Sequence, residues 1–333
     1  MHRKISIRRL SFAFLSVLMI GVVGCNRGTP LATTSPLAVT SPLPTAVPTP
    51  ISEKLTFSGK LLFHSERNGV LNLFIYDGQS GLLTPLPGGE GVHVEGKWSP
   101  DGKSIVYTSG SDDPNNFRIY TMRSDGSAAE NLTGAIPGDS WAPDWSPDGT
   151  QVLLQTNRDG NFEVYVVRLS DRTQVNLTNH PANDGAPVWS PDGSKIAFAS
   201  QRDTGKWQLY LMDADGSNQQ RIHVSTGNDM LPAWSSDGKY LLFCSDRVDG
   251  KFHIFRIKPD GSDLVQLTSG DYDDVEPVWV DEDRLIAFSS NRHIYVNDPD
   301  WDIFLMKADG TNQVALAPAP GIDKRPSWSN KAP

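Results

Sequence analysis

Two charged positions recur along this chain at fixed spacing. Asp184, Asp229, Asp274 and Asp323 each stand five residues before a recurring tryptophan. Arg158, Arg202, Arg247 and Arg292 stand thirteen residues after it, and Arg67 holds the equivalent place in the most N-terminal unit. Matched Asp and Arg side chains can form a charge-assisted pair with bidentate geometry. Left open to solvent, the same carboxylates would form an acidic ring able to bind a divalent cation or a basic peptide. In the other two units His93 and Ser140 take the Asp position, and Ser140 lies beside Asp139. The unit around Trp98 lacks both the Asp and the Arg, which favours a structural bridge within each unit. The two readings coexist, because a bridged carboxylate still sets the local potential. His93, Glu95, Asp112 and Asp113 cluster in that exceptional unit. Trp141 fits no repeat position and is placed in a loop between units, as an exposed contact for a ligand or peptide or as simple packing. The candidate binding residues are therefore Trp141, His93, Glu95, Asp139, Asp184, Asp229, Asp274 and Asp323.

Catalytic patterns are missing. The chain has no G-x-S-x-G, no H-E-x-x-H and no G-x-x-x-x-G-K-[ST], and its seven histidines are scattered. A non-catalytic protein is expected, with no resident cofactor apart from a divalent cation that the acidic ring could hold. There are two cysteines. Cys244 sits in the apolar run Leu241-Leu242-Phe243-Cys244 and reads as a buried free thiol.

The elements that position these residues follow from the tryptophans. Trp98, Trp145, Trp189, Trp234, Trp279 and Trp328 are separated by 47, 44, 45, 45 and 49 residues. Three copies read W-S-P-D-G, and a fourth, from Trp234, reads W-S-S-D-G. A period in the mid-forties is the sequence mark of a β-propeller, one four-stranded blade per repeat. In the unit beginning at Pro187, strands are expected at Pro187–Ser190, Ile196–Ser200, Trp207–Met212 and around Arg221-Ile222. The Ser-Pro-Asp-Gly and Asp-Gly segments between them supply turns. Phe117, Phe162, Trp207, Phe252 and Trp301 are expected to open third strands as core residues. The first unit lacks its tryptophan strand, which Arg325–Ser329 can supply from the other end of the chain. An all-β, six-bladed propeller results, closed by its C-terminal strand.

W-S-P-D-G followed by an I-A-F-x-S strand, as in Trp189 to Ser200, resembles the PD40, or TolB-like, propeller repeat. The resemblance covers roughly residues 54–329. It implies a propeller of a bacterial envelope system, here expected without the α/β domain that precedes the propeller in that family. Similar repeats form the propeller of prolyl-oligopeptidase-type peptidases, whose α/β-hydrolase domain is not expected here.

The N-terminal region reads separately. Arg3, Lys4, Arg8 and Arg9 precede the apolar stretch Leu10–Val23, too short to span a bilayer as a helix. Val22-Val23-Gly24-Cys25 resembles a bacterial lipobox, which implies lipidation of Cys25. Residues 1–24 are thus expected to be a lipoprotein signal peptide. Residues 25–53 form the lipidated Cys and a Pro/Thr/Ser-rich disordered tether, and 54–333 the propeller. The formal charge is −9, and residues 1–24 carry four positive and no negative side chains, leaving the mature form near −13. That charge excludes nucleic acid as a partner and argues against ionic attachment to anionic lipid. The expectation is a monomeric, extracytoplasmic, lipid-anchored module that binds an envelope protein or a basic peptide. The alternative is a ligand-binding or hydrolytic propeller acting on a cell-surface glycan or peptide.

Overall fold

Strands of about six residues, separated by Gly-containing turns, leave each repeat two apolar faces that only its neighbours can cover. The computed structural model describes residues 55–87, 91–110, 116–292 and 301–333, and Ser52–Pro333 form one compact unit. That unit is a six-bladed β-propeller of four-stranded antiparallel sheets. The innermost strands of blades 2 to 6 are His93–Trp98, Ser140–Trp145, Asp184–Trp189, Asp229–Trp234 and Asp274–Val280. Blade 1 takes its innermost strand, Asp323–Ser329, from the C-terminal end. That strand pairs antiparallel with Lys60–Ser65, placing Trp328 opposite Leu61. The expected closure is therefore present. The residues around Cys25 and the tether, Asp112 and Asp113, and the segment 293–300 lie outside the described residues.

The core lies between blades. Phe63 of blade 1 packs with Ala287, Ile303 and Leu305 of blade 6, and Phe243 of blade 5 packs with Ala197 and Leu209 of blade 4. Phe63, Phe198, Phe243 and Phe288 occupy one repeat position on the second strand and are fully buried. Each is worth roughly 1.5–3 kcal/mol of burial. Each also stacks on a third-strand ring, with centroids 5.6 Å apart for Phe198–Tyr210 and 5.8 Å for Phe288–Phe304. Cys244 is a buried free thiol, and burial pushes it well above the ordinary thiol range.

Two sequence expectations need correction. The innermost strand of blade 4 starts at Asp184, not Pro187. Its register with the second strand shifts between Gly185 and Val188, and this bulge hides the alternation that marks a strand. Phe117, Phe162, Trp207, Phe252 and Trp301 precede their third strands by one residue and are half-buried rather than core. Each turns at a blade junction. Its carbonyl accepts the N–H that opens the next innermost strand, as in Ser140 N–H to Phe117 O at 2.9 Å and Asp229 N–H to Trp207 O at 2.8 Å.

The Asp-Gly hairpins show why glycine recurs there. Gly216 has φ of +87°, and a Cβ on it would lie 2.7 Å from the Leu177 carbonyl of the preceding blade. Left-handed backbone and close approach both demand glycine.

Candidate functional site

At the end of the propeller where the innermost strands begin, four blades build the same clasp. Arg202 places Nη2 2.8 Å from Asp184 Oδ2, and Arg247 Nη2 lies 2.7 Å from Asp229 Oδ1. Arg292 is 2.8 Å from Asp274, and Arg67 contacts Asp323. In each, Arg Nε donates to a second-strand serine, Ser65, Ser200, Ser245 or Ser290. The guanidinium also lies over the buried ring pair, 4.9 Å from Tyr210 for Arg202 and 4.8 Å from Phe255 for Arg247. Burial raises the Asp184 carboxyl and brings Asp323 to about 6, against the pull of serine and arginine. All four carboxylates are buried and engaged. The geometry is that of the structural bridge and leaves no open acidic ring at these four positions.

Blade 2 replaces the clasp with aromatic packing. His93 is buried and meets Tyr107 edge-on at 5.4 Å. Asp139 accepts the Phe117 N–H at 2.8 Å, reinforcing the junction between blades 2 and 3. Trp141 is not in a loop. It lies in the innermost strand of blade 3, 8% exposed, stacked on Phe117 with centroids 4.1 Å apart. It does hold a repeat position, taken by Gly185, Met230 and Lys324 in other blades. That variability is what concealed it.

The channel is a second set of charges, mostly unforeseen. In every blade the residue three before the tryptophan position has a left-handed backbone: Glu95 at φ 55°, Ala142 at 51°, Ala186 at 49°, and Leu231, Glu276 and Arg325 at 58°. These bulge residues all line the central cavity, a narrow space of about 50 Å³. Such non-glycine conformations cost about 1 kcal/mol or more each and persist where surroundings over-determine them. At Glu95, Ala142, Ala186 and Arg325 the determinant is a stitch between blades. Ala186 N–H donates to Gln155 Oε1 of blade 3 at 2.8 Å, and Glu95 N–H points at His64 Nδ1 of blade 1 at 3.4 Å. Burial lowers His64 to about 3, so its ring is neutral and Nδ1 can accept.

Where the second strand carries a shorter hydroxyl, a glutamate does this task. Thr108 donates to Glu95 Oε2 at 3.2 Å, which also accepts the Ala142 N–H at 2.7 Å. Ser289 donates to Glu276 Oε2 at 2.8 Å, which also accepts the Arg325 N–H at 2.9 Å. The remaining oxygens converge on Arg325, whose Nη2 is 3.2 Å from Glu95 Oε1 and whose Nε is 2.9 Å from Glu276 Oε1. The Nε contact is an ion pair without hydrogen-bond alignment. Burial alone would raise Glu276, but Arg325, Lys324 and His64 bring it down to about 2. Lower in the channel, burial lowers Lys97 and lifts Asp144 to about 6, opposed by Lys97 and by the Trp189 N–H at 2.9 Å. The facing wall is apolar: Ala142, Ala186, Val188, Leu231 and Ala233.

This channel contains positive and negative groups committed to one another. Among the described residues no three His, Cys, Asp or Glu side chains come together in a metal-holding group. What the mouth face does present is a rim of half-buried aromatics, Phe117, Phe162, Trp207, Phe252 and Trp301, one at each of five junctions. Lys324 packs its ammonium 3.5 Å from the Trp301 ring centroid. These rings, expected as core from the sequence, are half-buried at the junctions. Their place immediately before the third strand was the available signal.

Residues 131–332 match the family model described as the TolB beta propeller domain. A curated relative, an uncharacterized protein of Agrobacterium fabrum, is 33% identical over 133 residues, 38% of this chain and 44% of its own length. The chain thus spans less than half the length of that relative. Among solved structures, TolB from Acinetobacter baumannii superimposes with a TM-score of 0.70 at 22% identity, covering 82% of this chain and 67% of that one. An oligogalacturonate lyase in complex with manganese gives 0.56 at 18% identity, covering 79% and 75%. At these identities the two structures bear on fold alone.

Proposed function

As the chain belongs to the TolB β-propeller domain family, we propose that it serves as a membrane-anchored, extracytoplasmic module that binds a protein or peptide on its channel-mouth face. The observation that carries this reading is the aromatic rim. Half-buried rings held at fixed junctions offer contact area at little entropic cost, and aromatic residues are enriched at interface cores. The clasp carboxylates hold the blades, and the channel charges hold one another. Negative charge steers a cationic partner toward the domain, an attraction that weakens as salt rises. Likeness in fold to a lyase brings no chemistry to this chain.

Capture from envelope extract with residues 54–333 tests the binding face. Trp207→Ala and Phe252→Ala should each reduce the captured partner at least about tenfold, as expected for truncated interface anchors. Asp260→Ala, in an Asp-Gly hairpin at the opposite end, should leave capture intact. Loss with Asp260→Ala alone would assign the wrong face. Asp229→Asn is a poor probe of binding, because Asp229 is the carboxylate of the blade 5 clasp.

The anchor is proposed from Val22-Val23-Gly24-Cys25. One acyl chain holds weakly and two or more hold stably. Cys25→Ser should move the protein from the membrane fraction to the soluble one. A variant that stays membrane-bound after a high-salt wash rules the lipid anchor out.

A further inference from the structure

Blade 3 keeps the donors of the clasp and lacks its acceptor. In the four clasp blades an Asp opens the innermost strand and lies opposite a second-strand serine, as Asp184 opposite Ser200 and Asp229 opposite Ser245. The carboxylate takes a hydroxyl and a guanidinium: in blade 5, Ser245 Oγ donates to Asp229 at 2.6 Å and Arg247 Nη2 at 2.7 Å. In blade 3 the pair at this register is Ser140 opposite Thr156. Arg158 is retained and lies over the Tyr165 ring, 4.2 Å from its centroid.

The result is a set of unmatched donors. Ser140 and Thr156 are fully buried, and neither Ser140 Oγ nor Thr156 Oγ1 has a hydrogen-bond partner. Arg158 Nε and Nη2 are likewise buried and without one. Nearby carboxylates are engaged elsewhere. Glu163 accepts from Thr178, the His180 N–H and Asn161. Asp159 accepts from Tyr165 and Asn176. Burial lowers Arg158 against the opposing pull of Tyr165 and Asp159, and the neighbouring cation Arg118, which is bonded to three backbone carbonyls, lowers it further. Guanidinium N–H groups buried without an acceptor are costly, and so is each unsatisfied hydroxyl.

We propose that Ser140, Thr156 and Arg158 form a binding site for a small monovalent anion, of halide or carboxylate size, at the place where four sister blades hold an Asp carboxylate. Two hydroxyls and two guanidinium N–H groups would donate to it. Full burial of Ser140 and Thr156 restricts the occupant to a small ion and excludes a bulky or multiply charged one. The anion replaces a covalently attached ligand with an exchangeable one, so the stability of this blade becomes dependent on its concentration.

Thermal melting of the soluble domain reads this dependence, with chloride and formate compared with gluconate and sulfate at matched ionic strength. An anion that binds only the folded state should raise the midpoint by about 2–5 °C per tenfold increase once above its dissociation constant. Gluconate and sulfate should give no such slope. Comparing chloride with formate separates a halide site from a carboxylate site. Ser140→Asp restores the sister geometry and should melt above the wild type in gluconate, with no response to either small ion. Arg158→Met removes the counter-charge and should also be flat, which keeps the test open if Ser140→Asp folds poorly. Equal midpoints for the wild type in all four salts would overturn the proposal, as would a chloride or formate slope that survives in Arg158→Met.

Discussion

Removing Asp323–Pro333 is expected to lower the melting midpoint of the propeller by at least about 10 °C, or to leave it aggregated. The deletion takes away the entire innermost strand of blade 1. Lys60–Ser65 then loses its ladder partner and becomes an open edge, a template for association with other chains. Trp328 goes too, together with its Nε1–H bond to the Ser58 carbonyl at 2.8 Å. For a half-buried ring that loss alone is about 3 kcal/mol. Arg325 is lost with the same strand, which strands the Glu95 and Glu276 carboxylates. Differential scanning calorimetry of the truncated and full domains decides the matter. An unchanged midpoint would mean that the C-terminal strand does not close the ring.

Arg325→Met isolates the electrostatic part of that closure. The Arg325 N–H to Glu276 bond is a backbone contact and remains available. The guanidinium between two buried carboxylates is gone. Removing one partner from a buried ion network costs about 3–5 kcal/mol, and the open mouth of the channel points to the lower end. The loss should depend on pH in a fixed sense. In the wild type Glu276 is held at about 2, below its ordinary value. It therefore contributes stability above the ordinary carboxylate range, and that contribution fades as pH falls toward 2. Without Arg325, burial dominates and the carboxyl moves up. Its contribution then reverses, and stability falls as pH rises through the ordinary range. The gap between variant and wild type should widen from pH 4 to pH 7 in urea titrations with unchanged slope. A gap of equal size at both pH values would mean that Arg325 acts through packing and not through charge.

The sequence carried the fold because the fold is periodic. One tryptophan per repeat, a Ser-Pro-Asp-Gly turn and an alternating third strand mark each blade, and the first unit's missing tryptophan strand, matched by Arg325–Ser329, points to closure. The clasp was also legible, since Asp and Arg vanish together at Trp98. The channel was less so. Arg325, Glu276 and Glu95 share a repeat position with Ala142, Ala186 and Leu231, and nothing in such a mixture marks a common site. What unites them is a left-handed bulge, a property of the backbone that residue types at these positions do not betray. Trp141 misled for the related reason that its position tolerates glycine, methionine and lysine. The donors at Ser140, Thr156 and Arg158 were visible as residues. Their missing acceptor became visible only against four sister blades.

The central proposal is that a partner docks on the aromatic mouth face. Hydrogen exchange of the domain with and without its captured partner tests it most directly, because the two ends of the propeller give separate peptides. Protection should concentrate in the segments leading into Ser140, Asp184, Asp229 and Asp274 and around Phe162, Trp207 and Phe252. The turns at Ser99–Gly102, Ser146–Gly149, Ser190–Gly193 and Ser235–Gly238 should exchange as in the free domain. Protection of those turns, with the mouth-face segments unchanged, would contradict the account.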